Sequence, residues 1–367
     1  MAQPKILVIS NYTGSLNAIR PEAEIFLALV RQGFDITVMS PKNEYYTNEL
    51  EKLGVEIIDC APTSKFDGSF ISKLKEVVSR KEINIVHAFN SRSITNASIA
   101  LLGRDTLLVG YRGYTGNIRW FYPSKYLSFL SPRVDYMICL ADSIREMFLK
   151  NGMPARKAVT ILKGHHPDWY SEFNPADLTE FNLPPDAMIC SLVANNRTTM
   201  KGLHSLIEAT NLLPELVELR ILLIGGGMDT TEIKGLIARS KKPETFIFTG
   251  FRSDVSNIVK AVDLSISVSL FGEATQKAMI EAMYLGNPVI ISDIPGNRGM
   301  AIDGEGGYVI EPNNPKSIAE AIVKFHENPS QWEAMGDKAK KHITQFLSHD
   351  KTVEEYGNFY TSIVRDK

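Results

Sequence analysis

No stretch of this chain is apolar for long enough to cross a bilayer. A transmembrane helix takes about 20 consecutive apolar residues, and the runs here are strand-sized, such as Ile6–Ile9 and Val289–Ile291. Cysteine is scarce. Cys60, Cys139 and Cys190 are scattered, odd in number and without metal-ligand spacing, a set that suits a reducing compartment rather than a disulfide framework. Cys139 and Cys190 fall inside apolar runs and are expected in the core. An excess of one charge is also missing. Forty Lys and Arg face 42 Asp and Glu, for a net charge of −2, so the basic footprint of a nucleic-acid-binding protein is absent and no nucleic-acid partner is expected. There is no low-complexity tract, and a composition of 44% hydrophobic and 22% charged residues is that of an ordinary globular protein. The opening Met1–Ser10, with one lysine before a short apolar stretch, reads as a first strand rather than a signal peptide. The expected location is cytoplasmic, or peripheral on the inner face of the cytoplasmic membrane.

What the chain does have is alternation. Its 367 residues exceed what one hydrophobic core usually serves, which predicts two domains. Continuous apolar runs at Lys5–Ser10, Asp35–Ser40, Val55–Asp59, Ile83–Ala88, Leu107–Tyr111 and Tyr136–Leu140 read as strands buried on both faces. An amphipathic helix is predicted over Pro21–Gln32, stopped by Gly33. The pattern restarts after Asn174, with strands at Ala187–Ala194, Leu219–Ile224, Phe246–Thr249, Leu264–Val268 and Pro288–Ser292. Helices are predicted at Gly202–Leu213 and Thr230–Ser240. Two doubly wound units follow from this pattern, with ligands expected at the carboxyl ends of their strands. Two final helices, Pro329–Phe346 and Thr352–Val364, have no strand after them.

The most informative run is Phe271–Ile291, which reads as loop, helix, glycine stop and buried strand. It holds Glu273 and Glu281 with seven residues between them. On a continuous helix the two carboxylates would stand roughly 9–12 Å apart, about the reach from the sugar to the ribose of a nucleotide-sugar. The diphosphate between them would rest on free helix N–H groups and the positive dipole end, beside Thr275. Acids at this spacing are equally common on solvated helices. The combination with Glu281-Ala282-Met283 and Gly286-Asn287-Pro288-Val289-Ile290 is more specific. It resembles the signature of retaining glycosyltransferases of family 4 (group 1), which have the GT-B fold.

The resemblance extends over nearly the whole chain and implies roles for named residues. Glu273 would contact the donor sugar, and Glu281 would hydrogen-bond the ribose. In Asn195-Asn196-Arg197-Thr198-Thr199-Met200-Lys201-Gly202, cations beyond a strand end are what a leaving diphosphate needs, and the family uses an arginine and a lysine-glycine pair there. Lys201-Gly202 matches, while Arg197 stands four residues before the lysine where the family more often has five. Gly225-Gly226-Gly227 follows a strand and lacks the G-x-G-x-x-G spacing; in the family this turn lies beside the nucleotide, and a packing role is an equal reading. The loop Asn11–Leu16 carries a single glycine, Gly14, where the family usually has two. Arg112 stands where many members have a histidine, and a guanidinium is no base at neutral pH. With Arg92 and Arg119 it predicts an anionic acceptor, or else it pairs with a protein carboxylate and shapes the pocket. His87 matches a recurrent histidine of the family, with a structural role as the equal alternative. Arg119–Phe129 mixes aromatics and cations, which suits a membrane interface, a glycan acceptor or a partly buried helix.

The fold implied is α/β: two Rossmann-like domains facing across a cleft, 1–168 binding the acceptor and 169–347 binding the nucleotide-sugar. Residues 348–367 would cross back to the first domain. The function implied is retaining transfer of a sugar from a nucleotide-sugar to a glycan or glycolipid acceptor, as in bacterial cell-envelope or lipopolysaccharide synthesis. No cofactor or metal is expected, since no Asp-x-Asp stands in a suitable place. Two alternatives remain: a sugar-nucleotide epimerase of the same fold, and a catalytically silent glycan-binding or scaffold subunit.

Overall fold

The computed structural model describes residues 3–14, 16–116 and 118–365. It divides into two compact units, Met1–His165 with Leu347–Lys367 and His166–Phe346. The chain therefore passes between units twice, and its last helix belongs to the first unit.

The first unit is built on seven strands: β1 (Lys5–Ile9), β2 (Asp35–Ser40), β3 (Glu56–Asp59), β4 (Ile85–Ala88), β5 (Leu107–Arg112), β6 (Tyr136–Cys139) and β7 (Ala158–Thr160). Their order is β3-β2-β1-β4-β5-β6-β7, all parallel. The second has six: β8 (Met188–Val193), β9 (Leu219–Ile224), β10 (Phe246–Gly250), β11 (Leu264–Ser267), β12 (Val289–Ser292) and β13 (Gly307–Ile310). Their order is β10-β9-β8-β11-β12-β13, again parallel. In each sheet the chain winds outward from the first strand and then returns to its other side. The crevice where ligands of such sheets bind thus opens beyond β1 and β4, and beyond β8 and β11.

The apolar runs read as strands are buried on both faces because helices cover both. In the second unit Cys190, Leu192, Ile221 and Leu223 enter one core, while Ile189, Leu222 and Ile224 enter another, which is the period of two of a strand. In the first unit Ile6, Val8, Ile36, Val38 and Val109 pack with Phe26 and Leu29 of the helix Leu16–Arg31. Val353, Tyr356 and Tyr360 of the final helix His349–Arg365 join the same core. Each fully buried aliphatic or aromatic side chain contributes about 1.5–3 kcal/mol.

Three departures from the expected elements have physical causes. The first helix begins at Leu16 and carries Pro21 inside it, buried. The expected helix, Pro21–Gln32, thus starts one turn too late, because a proline is most at home in the first turn of a helix. Ser15 lies outside the described residues. β7 and β13 are short, at three and four residues, below the length at which periodicity speaks. His165 is buried, and backbone bonds between it and Leu347 and His349 tie the returning segment down. At Gly164 a Cβ would overlap the Ser348 carbonyl, so only glycine admits this approach.

Candidate functional site

In the second unit, the loops that leave β8 and β11 meet at the point where the strand order reverses. The Leu270 amide donates to the Met200 carbonyl at 2.8 Å. Gly202 sits at φ +71°, where a Cβ would overlap the Val268 carbonyl; this explains why the lysine is followed by glycine. The approach brings Lys201 to Glu273, Nζ to Oε1 at 2.6 Å, with the side chains 18% and 14% exposed. The Ser269 hydroxyl reaches the same carboxylate oxygen at 3.4 Å. The loop after β12 backs this arrangement. Ser292 Oγ donates to the Ser269 carbonyl at 2.6 Å, Asn297 Nδ2 to the Ser292 carbonyl at 2.9 Å, and a Cβ on Gly296 would overlap the Glu273 carbonyl. A cation and a carboxylate are thus fixed side by side, mostly shielded from solvent, at the carboxyl edge of the sheet.

Glu273 is not on the helix. The helix spans Lys277–Tyr284 with Gln276 as N-cap, Gly286 follows at φ +90°, and β12 is fully buried. The 1.5 Å rise therefore applies only between Lys277 and Glu281, and a reach computed for a continuous helix does not hold. Glu281 lies in the second turn, paired to Lys277 at 2.9 Å and 19% exposed. Thr275 is half-buried just ahead of the N-cap. The Gln276 side chain does not cap the helix, and its Nε2 is buried without a partner.

The glycine turn after β9 packs onto the loop after β8. The Gly226 amide donates to Asn195 Oδ1 at 2.9 Å, the Asn196 amide to the Gly226 carbonyl at 3.0 Å, and the Gly225 amide to the Gly250 carbonyl at 2.9 Å. A Cβ on Gly225 would overlap the Ala194 carbonyl. Both amides are occupied within the chain, so the turn fixes the loop that carries Arg197. Arg197 is exposed and lines an open depression of about 500 Å³ with Thr198, Gly227 and Phe271. Its carbonyl accepts the Lys201 amide at 2.9 Å, but its side chain does not join the Lys201–Glu273 pair.

In the first unit, Gly14 is exposed between β1 and the first helix, with no positive φ that demands glycine. Arg112, at the end of β5, is 4% exposed. It donates through Nε to the Tyr114 carbonyl at 2.9 Å and through Nη2 to the Gly116 carbonyl at 2.7 Å, and its guanidinium lies over the rings of Tyr114 and Phe129. No carboxylate pairs with it among the described residues, so the protein-carboxylate alternative drops out. Arg112 lines a cavity of about 430 Å³ beyond β4 and β5, together with Lys65, Lys125 and Lys163. Arg92 is exposed and reaches only toward the Thr63 carbonyl; Arg119 is exposed over Phe121. Neither lines the cavity.

His87 is fully buried in β4 and packs on Phe89 and Tyr356, with Nδ1 2.6 Å from the Tyr360 hydroxyl. Burial pushes its imidazole down to about 3. It ties the final helix to the sheet from inside the core and does not line the cavity. Nearby, burial pushes the Glu22 carboxyl up to about 6, against the opposing charge of Lys163 and a hydrogen bond from the Ser10 hydroxyl.

Lys65, Lys163, Ser269 and Gly296 are not singled out by the sequence, and Lys125 only as one cation of the run Arg119–Phe129. They come from five separate loops, and only the closeness of those loops makes them one neighbourhood or another. Among the described residues no group of three or more His, Cys, Asp or Glu is placed to hold a metal ion, and no helix is long and apolar enough to cross a membrane.

Residues 180–342 match the sequence model described as glycosyl transferases group 1, and residues 23–169 that of glycosyltransferase family 4. An uncharacterised glycosyltransferase of Methanocaldococcus jannaschii is 24% identical over 256 residues, 68% of this chain and 64% of that relative. The chain thus spans less than two thirds of that relative's length. HepE of Anabaena, solved in complex with UDP, superposes with a TM-score of 0.76 over 98% of this chain and 100% of that one, at 17% identity. A lipopolysaccharide outer core galactosyltransferase, WaaB, superposes with a TM-score of 0.65 over 98% and 99%, at 16% identity.

Proposed function

From the premise that this chain belongs to the group 1, family 4 glycosyltransferases and has their GT-B fold, we propose that its second unit holds a nucleotide-sugar and that the enzyme moves the sugar to a glycan or glycolipid acceptor held by the first. The observation that carries this reading is the Lys201–Glu273 pair at the reversal point of the second sheet. An ammonium beside the diphosphate neutralises charge that grows as the bond to the sugar breaks, and a stabilisation that grows along the reaction is what lowers a barrier. Glu273 accepts hydrogen bonds from sugar hydroxyls, and Glu281 from the ribose. Arg197, in the same loop and exposed, swings onto the diphosphate when the donor is present.

The reaction retains configuration. No protein base is required, because the departing diphosphate oxygen takes the acceptor proton on the face it leaves, with Lys201 and Arg197 balancing its charge. The enzyme needs no divalent ion, since these cations do that work. UDP in the HepE crystal supports a uridine donor, and the likeness to WaaB, a lipopolysaccharide outer core galactosyltransferase, supports a role in envelope glycan synthesis.

The test is turnover with a panel of uridine, guanosine and adenosine diphosphate sugars, with and without glycolipid extract. One donor should be consumed, with the sugar appearing on the acceptor. Sugar isomerisation without an acceptor would instead indicate an epimerase, and binding without turnover a silent subunit.

A further inference from the structure

We infer that Lys277 is a third donor-binding cation, passed from Glu281 to the donor's diphosphate when the ribose hydroxyls take Glu281. This rests on the transferase reading above, which gives Glu273 the sugar and Glu281 the ribose, and adds to it a residue and an order of events. Lys277 stands four residues after Glu273 and four before Glu281. A donor laid from Glu273 to Glu281 therefore carries its diphosphate past Lys277, the first residue of the helix Lys277–Tyr284. Lys201 is paired with Glu273, and Lys277 with Glu281 at 2.9 Å. Arg197 is exposed in its loop, and a diphosphate carries more charge than one guanidinium answers.

Helix stability does not account for Lys277. The first turn of a helix is the positive end of its dipole and favours acids over cations. An i,i+4 pair is also weaker with the lysine on the N-terminal side. No side chain relieves this end either. Gln276, at the N-cap position, makes no capping bond, and its Nε2 is buried without a partner. The helix Pro315–His326 shows the ordinary arrangement. Its Lys316–Glu320 pair is looser, at 3.7 Å, and the Asn314 side chain caps the end by accepting from the Lys316 and Ser317 amides. At the start of Lys277–Tyr284 a cation, a helix end without a side-chain cap and an unpartnered buried amide meet instead, and an anion answers all three.

The pair is built to come apart on one side. The Glu281 side chain is mostly buried in the second turn, while that of Lys277 is 44% exposed on a flexible stem. Ribose hydroxyls donating to Glu281 replace the bond that the ammonium gives it. The ammonium then turns to the phosphate oxygens, which stand in for the carboxylate it has lost. Nucleoside recognition and diphosphate binding are thereby coupled, because the ribose frees the cation that the diphosphate needs. A nucleotide without those hydroxyls leaves Lys277 on Glu281.

The experiment is calorimetric titration of the full chain with UDP, GDP and ADP, continued with the one bound most tightly and with its 2′,3′-dideoxy analogue. Binding of none of the three counts against the transferase reading and is seen in the unmodified chain alone. Lys277→Met should weaken the diphosphate about tenfold, the size of one charge-assisted hydrogen bond, and leave the dideoxy analogue within about twofold. Lys277→Arg should restore most of the loss. Lys316→Met, which breaks the comparable pair, is the control and should change neither affinity. Full diphosphate affinity in Lys277→Met, with only a lowered Tm, makes the pair a helix brace and overturns the inference. An equal loss with the dideoxy analogue also overturns it, since Lys277 would then sit on the phosphates whatever the ribose does.

Discussion

Lys201 finds its anion within the chain in Glu273, at 2.6 Å, and a donor diphosphate must compete for the same ammonium. Glu273→Gln keeps the shape and the hydrogen-bonding oxygen but removes the competing charge. Calorimetry should show nucleoside diphosphate binding unchanged or a few-fold tighter, while kcat for transfer falls tenfold or more; weaker binding together with normal kcat would mean that Glu273 serves the diphosphate rather than the sugar. His87 makes a prediction in pH. Its folded value is depressed by burial to about 3 from the usual 6.5, so its contribution is complete above pH 6.5 and is lost as pH falls toward 3, by on the order of 5 kcal/mol in all. Glu22 acts in the opposite sense: raised by burial to about 6, it favours the fold below its ordinary 4.5 and loses that contribution as pH rises through 6, by about 2 kcal/mol. The two nearly offset between pH 6 and 4.5, and His87 dominates below. His87→Gln, which cannot titrate, should flatten the fall in Tm between pH 4.5 and 3.5. An unchanged slope would remove His87 from the acid transition.

At the scale of elements, the site depends on how closely loops approach, and glycines set that approach. Gly296→Ala places a methyl against the Glu273 carbonyl and must shift that loop. Transfer should drop tenfold or more, with Tm changed by only a few degrees. Gly68→Ala, at a helix start with nothing within 4 Å, is the control and should leave both untouched; full activity in Gly296→Ala would show that the loop tolerates the shift. The same elements show what could be read in advance. The run Phe271–Ile291 was legible as loop, helix, stop and strand because each part has a local cause: helix formers, Gly286 at a positive φ, then apolar residues buried on both faces. Lys201-Gly202 was legible because cation and glycine are neighbours in sequence. Gly296 was not, because its partner is twenty-odd residues away and contact across loops leaves no periodicity. Lys65 and Lys163 were hidden for the same reason, since lone lysines resemble solvated surface until the strand ends bring them to one wall with Lys125. Pro21 misled because a proline that opens a helix and one that sits inside it look alike.

On the scale of the whole molecule, each unit carries a separate chemical capacity: the second a cation–carboxylate pair at its sheet's reversal point, the first a cationic cavity. The final helix is anchored to the first unit by Tyr360 on His87, by the Thr352 hydroxyl, and by the backbone around Gly164. If Lys201 and Arg197 do the work of a divalent ion, transfer should persist in excess chelator; loss that magnesium or manganese restores would return that work to a metal. The central claim is that the second unit grips a nucleoside diphosphate through Lys201, and the most direct measurement is calorimetric titration of Lys201→Ala and the unmodified chain with UDP and with uridine. Removing a charge-assisted bond costs about 1.5–3 kcal/mol, so UDP affinity should fall at least tenfold while uridine affinity stays within about twofold; UDP bound equally well by both proteins would contradict the account.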